Sequence, residues 1–130
     1  MKNSEVANEW FQFAKTDLES AKFLTKMHPL PIEVICYHCQ QSAEKYLKGY
    51  IALNGGNIVK IHDLVILNKA SKNYSAKFKH IDDECIELVA YGVQVRYPYE
   101  LEVNEEDMKT ALVCAEKIAK FIEDAIKEIK

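Results

Sequence analysis

The sequence predicts an all-α protein, folded as an antiparallel, up-and-down bundle of four to five helices. Three observations predict it. Apolar residues recur in steps of three and four over most of the chain, the period of a helix with one buried face. Proline and glycine clusters, His28-Pro29-Leu30-Pro31 and Asn54-Gly55-Gly56-Asn57, divide that pattern into segments of helix length. No stretch alternates convincingly like a strand, although Glu87 to Val95 is rich in β-branched residues. The 130 residues, with no internal repeat, linker or low-complexity segment, read as one helical domain spanning 1–130.

The first helix is expected from about Ser4 to Met27, where Ala7, Phe11, Ala14, Leu18 and Ala21 form one stripe and Trp10 and Leu24 widen it. The prolines then break the chain, because proline lacks an amide donor and restricts the residue before it. Pro31 suits the first turn of the second helix, expected from Pro31 to Leu53. There Cys36, Cys39, Ala43, Tyr46, Tyr50 and Leu53 form a seam suited to antiparallel packing. Asn54-Gly55-Gly56-Asn57 supplies left-handed residues to end it. A short helix follows from Asp63 to about Ser71, with Leu64 and Leu67 inward; Asn73 to Lys79 reads as a loop or a further helical turn.

The next helix is expected from Ile81 to Val95, with Ile81, Cys85, Leu88, Gly92 and Val95 on one face and Pro98 as the stop. The last begins at Asn104, with Asp107 three residues on to assist the amino-terminal donors. From Met108 to Ile129 its apolar face is broad enough to contact more than one neighbour, of which a second copy of the chain is one candidate.

Composition narrows the function. With 48% hydrophobic and 28% charged residues the chain is ordinary for a cytoplasmic globular protein. A formal charge of −3 argues against a generally basic surface for long nucleic acid, while leaving room for a pocket that takes one nucleotide or a short single strand. The amino-terminal MKNSEVANEW has no apolar signal core, and no segment reaches the apolar length of a membrane span. Cys36 and Cys39 form a C-x-x-C, but inside a helical pattern with no preceding strand, and Cys85 and Cys114 stand alone. All four are expected as buried thiols acting as small hydrophobes, without disulfides, metal or other cofactor.

Three clusters could carry chemistry. On the second helix His38, Gln41, Lys45 and Lys48 follow in steps of three and four, offering an imidazole, an amide and two cations to a phosphate or a base. The plain alternative is a solvated face on which Glu44 pairs with Lys48 across one turn. In His62-Asp63-Leu64 the carboxylate can cap the short helix, and the histidine can hydrogen-bond within the connection. In Arg96-Tyr97-Pro98-Tyr99-Glu100 the arginine either pairs with a carboxylate or is held for an anion, and the tyrosines either stack on a base or pack in the turn. No P-loop, dinucleotide glycine fingerprint, H-E-x-x-H or G-x-S-x-G is present.

Together these segments resemble the HEPN family, the higher eukaryote and prokaryote nucleotide-binding domains. The resemblance rests on Trp10, Ala14, Asp17-Leu18 and Ala21; on Tyr37-His38-Cys39-Gln40-Gln41, Ala43-Glu44-Lys45 and Leu47-Lys48; on His62-Asp63-Leu64; and on Arg96-Tyr97-Pro98 before a long amphipathic helix. It implies a small helical bundle that usually forms homodimers and serves a nucleotide- or RNA-related role. Small prokaryotic members commonly pair with a minimal nucleotidyltransferase, often as a toxin–antitoxin system in which the HEPN toxin is typically a metal-independent ribonuclease. That activity uses an Arg followed by a His a little over one helical turn away, brought together from two subunits. Here Arg96 has no such partner, because His28, His38, His62 and His80 all precede it.

The expectation is therefore a binding subunit for a nucleotide or short RNA, with His38, Gln41, Lys45, Lys48, Arg96 and Tyr97 as binding residues and a nucleotidyltransferase as partner. The alternatives are a ribonuclease using Arg96 with His62 or His38 as acid–base group at a dimer interface, and a dimerisation scaffold without ligand.

Overall fold

The computed structural model describes residues 2–57, 60–92 and 103–129. Five α-helices account for most of them: α1 (Asn3–Leu24), α2 (Ile32–Leu53), α3 (Leu64–Ser71), α4 (Asp82–Val89) and α5 (Glu105–Glu128). Two 3-10 stretches, Ala76–Ile81 and Ala90–Gly92, lead into and out of α4, and no strand occurs among the described residues.

The side-chain contacts give the directions. Asp17, Ala14 and Phe11 of α1 meet His38, Ser42 and Gly49 of α2, so one helix ascends as the other descends. The α1 stripe is small where the helices meet: Ala7, Ala14 and Ala21 are fully buried. Glycine completes the approach at Gly49, where an added Cβ would lie 2.4 Å from Cε1 of Phe11. Cys36 lies near Asp107 at the start of α5, and Tyr46 Oη donates to Glu123 Oε2 at 3.0 Å near its end, so α2 and α5 run the same way. Helix α4 is antiparallel to α5, with Glu84 held by Lys117 and Tyr91 close to Asp107.

Core residues come from every element. Ile35, Leu47, Leu64, Phe78, Ile81, Leu88, Ile118 and Ile122 are all fully buried, and each such side chain contributes roughly 1.5–3 kcal/mol relative to exposure. The ring of Phe78 lies between those of Tyr50, at 4.4 Å, and Phe121, at 4.9 Å, closing one end of the bundle.

The helix ends follow the sequence reading closely. Asp63 caps α3, its Oδ1 accepting from the amides of Val65 and Ile66. Asn104 and Asp107 form a reciprocal capping box at α5. Gly55 takes φ +80 after α2. Of the loop or further helical turn expected at Asn73 to Lys79, the structure has the helical turn, as the 3-10 stretch Ala76–Ile81. Two details differ. The fourth helix is regular only to Val89 and then tightens at Ala90–Gly92; its expected continuation to Val95 lies outside the described residues. Ile129, expected on the apolar face of α5, is 45% exposed.

All four cysteines are buried free thiols. Burial pushes the Cys36 and Cys85 thiols up to about 12 and that of Cys114 to about 11, so they remain protonated and unreactive, as small hydrophobes should. Among the described residues no helix is long and apolar enough to cross a membrane.

Candidate functional site

The polar face of α2 divides into two, each half organised by a carboxylate. On the side facing α1, Asp17 is only 8% exposed. It receives His38 Nδ1 at 2.9 Å on one oxygen and the Lys45 ammonium on the other. The Lys45 head also lies 5.9 Å from the Phe13 ring centroid. A wide, open groove of about 550 Å³ lies beside His38, walled by Lys15, Glu19, Ser20 and Phe23 of α1.

On the other side the centre is Glu44, whose side chain is 6% exposed, as is that of Lys48. Lys48 Nζ donates to Glu44 Oε2 at 2.9 Å and stands 5.4 Å from the Trp10 ring centroid, where the indole face can favour the cation. Gln40, fully buried, donates through Nε2 to Glu44 Oε1 at 3.1 Å. The loop before α3 brings His62 to the same carboxylate, with Nδ1 at 3.0 Å from Oε2. Glu44 therefore joins α1 through the Trp10-flanked lysine, its own helix, and the connection to α3. The imidazole of His62 remains 72% exposed.

A cleft of about 500 Å³ opens over this cluster, lined by Tyr37, Gln41, Glu44, His62, Asp63, Val89 and Gly92. Gly92 is the position where α4's 3-10 ending meets α2: a Cβ there would lie 3.3 Å from the amide of Gln40. Arg96 and Tyr97 follow Gly92 by four and five positions and lie outside the described residues.

The structure thus brings Gln41 and His62 to one cleft and places Glu44 beneath them. It directs His38 and Lys45 to Asp17, and buries Lys48 against Glu44. The pairing of Glu44 with Lys48 was legible from their spacing, but not its burial. The roles of Asp17, Gln40 and Glu44 as buried organising residues were missed. The available signal was three polar residues at one-turn spacing, Gln40, Glu44 and Lys48, beside a continuous apolar seam. Among the described residues no group of three or more His, Cys, Asp or Glu side chains could hold a metal ion.

Comparison with known proteins gives this arrangement a family. A sequence model of the HEPN domain matches residues 7–125. The chain belongs to the HEPN family. Its HEPN fold is shared with the crystal structure of an archaeal HEPN homologue, at a TM-score of 0.69 and 23% identity over 92% of this chain and 97% of that one. This HEPN chain is also 30% identical to a candidate toxin of Methanocaldococcus jannaschii, over 97% of its own length and 91% of that protein.

Proposed function

We propose that this HEPN protein is the nucleotide- or RNA-binding subunit of a two-component, toxin–antitoxin-like system, with a minimal nucleotidyltransferase as its partner. The observation that carries the reading is the cleft at His62, Gln41 and Glu44, which ends at Gly92, four positions before Arg96. Nothing basic on the described wall suits a long polyanion, and the volume suits one nucleotide unit. The toxin-like part of the reading is supported by the M. jannaschii relative. A protein interface is supported by Ile86 on α4 and Val113 on α5, 58% and 68% exposed on helices that pack together; a homodimer belongs to the same proposal.

The test is a calorimetric titration of the purified chain with ATP, beside Arg96→Ala, with co-purification of the neighbouring gene product. Saturable binding lost in Arg96→Ala supports the reading. Absence of both nucleotide binding and partner capture would leave a dimerisation scaffold in its place.

One observation favours a ribonuclease as the second reading: Glu44 orients an exposed imidazole, the arrangement an acid–base group requires. In that case Arg96 would stabilise the charge developing on the scissile phosphate while His62 moves the proton. Metal-free RNA cleavage should then disappear in both His62→Ala and Arg96→Ala.

A further inference from the structure

The hydrogen-bond directions in the Glu44 cluster can be worked out from one end. An ionised carboxylate only accepts. Gln40 must therefore turn its amide nitrogen to Glu44 Oε1, leaving its oxygen to receive Gln41 Nε2 at 2.7 Å. Gln41 in turn commits one amide hydrogen inward, keeps the second, and has its Oε1 left as an acceptor without a protein partner among the described residues. The same reasoning applies to His62. Nδ1 carries the proton it donates to Glu44, so in the neutral ring Nε2 holds the lone pair. Asp63 uses Oδ1 to cap α3, and its second oxygen is a further acceptor at the rim.

The wall thus presents mainly acceptors, Gln41 Oε1, Asp63 Oδ2 and, in the neutral ring, His62 Nε2, alongside the Tyr37 hydroxyl and the second amide hydrogen of Gln41. Neither lysine of α2 offsets them. Lys45 is neutralised by Asp17, Lys48 by Glu44, and neither lines the cleft. With the Asp63 carboxylate at its rim and neither lysine facing it, such a surface disfavours a phosphate, whose oxygens need donors, and suits a group that donates. In a nucleotide the donors are the ribose hydroxyls and the exocyclic amines of the base, and the Tyr37 ring on the same wall offers a stacking surface.

We infer that the cleft formed by Gln41, His62 and Asp63 recognises the nucleoside part of a nucleotide through its hydroxyl and amino donors, and not the phosphate. This rests on the nucleotide-binding reading and assigns phosphate recognition away from the lysines of α2.

The experiment titrates the full chain separately with adenosine, ATP and inorganic tripolyphosphate, and repeats each titration with His62→Ala and Gln41→Ala after circular dichroism has verified their helicity. The His62 side chain is mostly exposed, so its removal leaves the core intact. Adenosine is expected to bind, tripolyphosphate to fail to displace it, and each variant to weaken adenosine by up to about tenfold, the loss of one hydrogen bond. ATP binding with no adenosine binding, displaced by tripolyphosphate and unchanged in His62→Ala, would overturn this inference and leave the nucleotide reading standing. Binding of neither ATP nor adenosine would overturn both.

Discussion

Glu44 and Lys48 stand one helical turn apart, a spacing that on an exposed helix stabilises by only a few tenths of a kcal/mol. Burial changes the stakes. With both side chains at 6% exposure, removing one partner strands the other charge away from water. Lys48→Ala or Glu44→Ala is expected to cost about 3–5 kcal/mol, read from urea denaturation. The paired change Glu44→Gln with Lys48→Met should recover most of that loss, because no charge is then left uncompensated. Gly49 presents the opposite problem, too little space. Its missing side chain admits the Phe11 ring at a distance where a Cβ cannot fit. Gly49→Ala should lower the denaturation midpoint by an amount equivalent to about 1–3 kcal/mol, and Phe11→Leu in the same chain should return part of it.

At the scale of elements, helix ends are the most local features and were the most legible. Asp63, Asn104 and Asp107 act through amides two or three residues away, so the sequence alone contains both partners. Asn104→Ala is expected to cost about 1 kcal/mol, seen as a lower thermal midpoint with unchanged native helicity. The seams of α1, α2 and α5 were legible for a similar reason: one period describes each face. The polar face of α2 was not. Spacing placed His38, Gln41, Lys45 and Lys48 together, and their angular proximity is real. What separates them is which carboxylate each one reaches, and Asp17 lies on another helix, 28 positions from Lys45. Polar pairings between helices carry no periodic trace. The need for glycine at position 92 was hidden likewise, since the group it makes room for is the Gln40 amide across the interface.

At the scale of the whole molecule, the buried acids that ionise at high pH act together. Burial raises Cys36 and Cys85 from an ordinary 9.0 to about 12, and Tyr91 from 10.0 to about 12. The folded chain therefore keeps protons that the unfolded chain has released, and stability falls as pH climbs above the unfolded values. This contribution is intact below about pH 9 and declines through pH 12. Thermal midpoints measured at pH 7, 9 and 10.5 should be similar for the first pair and clearly lower at the third. A flat profile would mean that these groups reach solvent before unfolding.

Helix α2 supplies Ile35, Cys39, Ala43 and Leu47 to the centre of the core and, from the same turns, Tyr37, Gln41 and Glu44 to the cleft. The amide protons in the middle of α2, packed on every side by core residues, are expected to exchange with solvent through the largest opening of the chain, while its ends fray locally. The cleft wall consequently has no private loosening reaction. A ligand seated there is expected to slow exchange in the middle of α2 by the same factor that it lowers the population of unfolded chains.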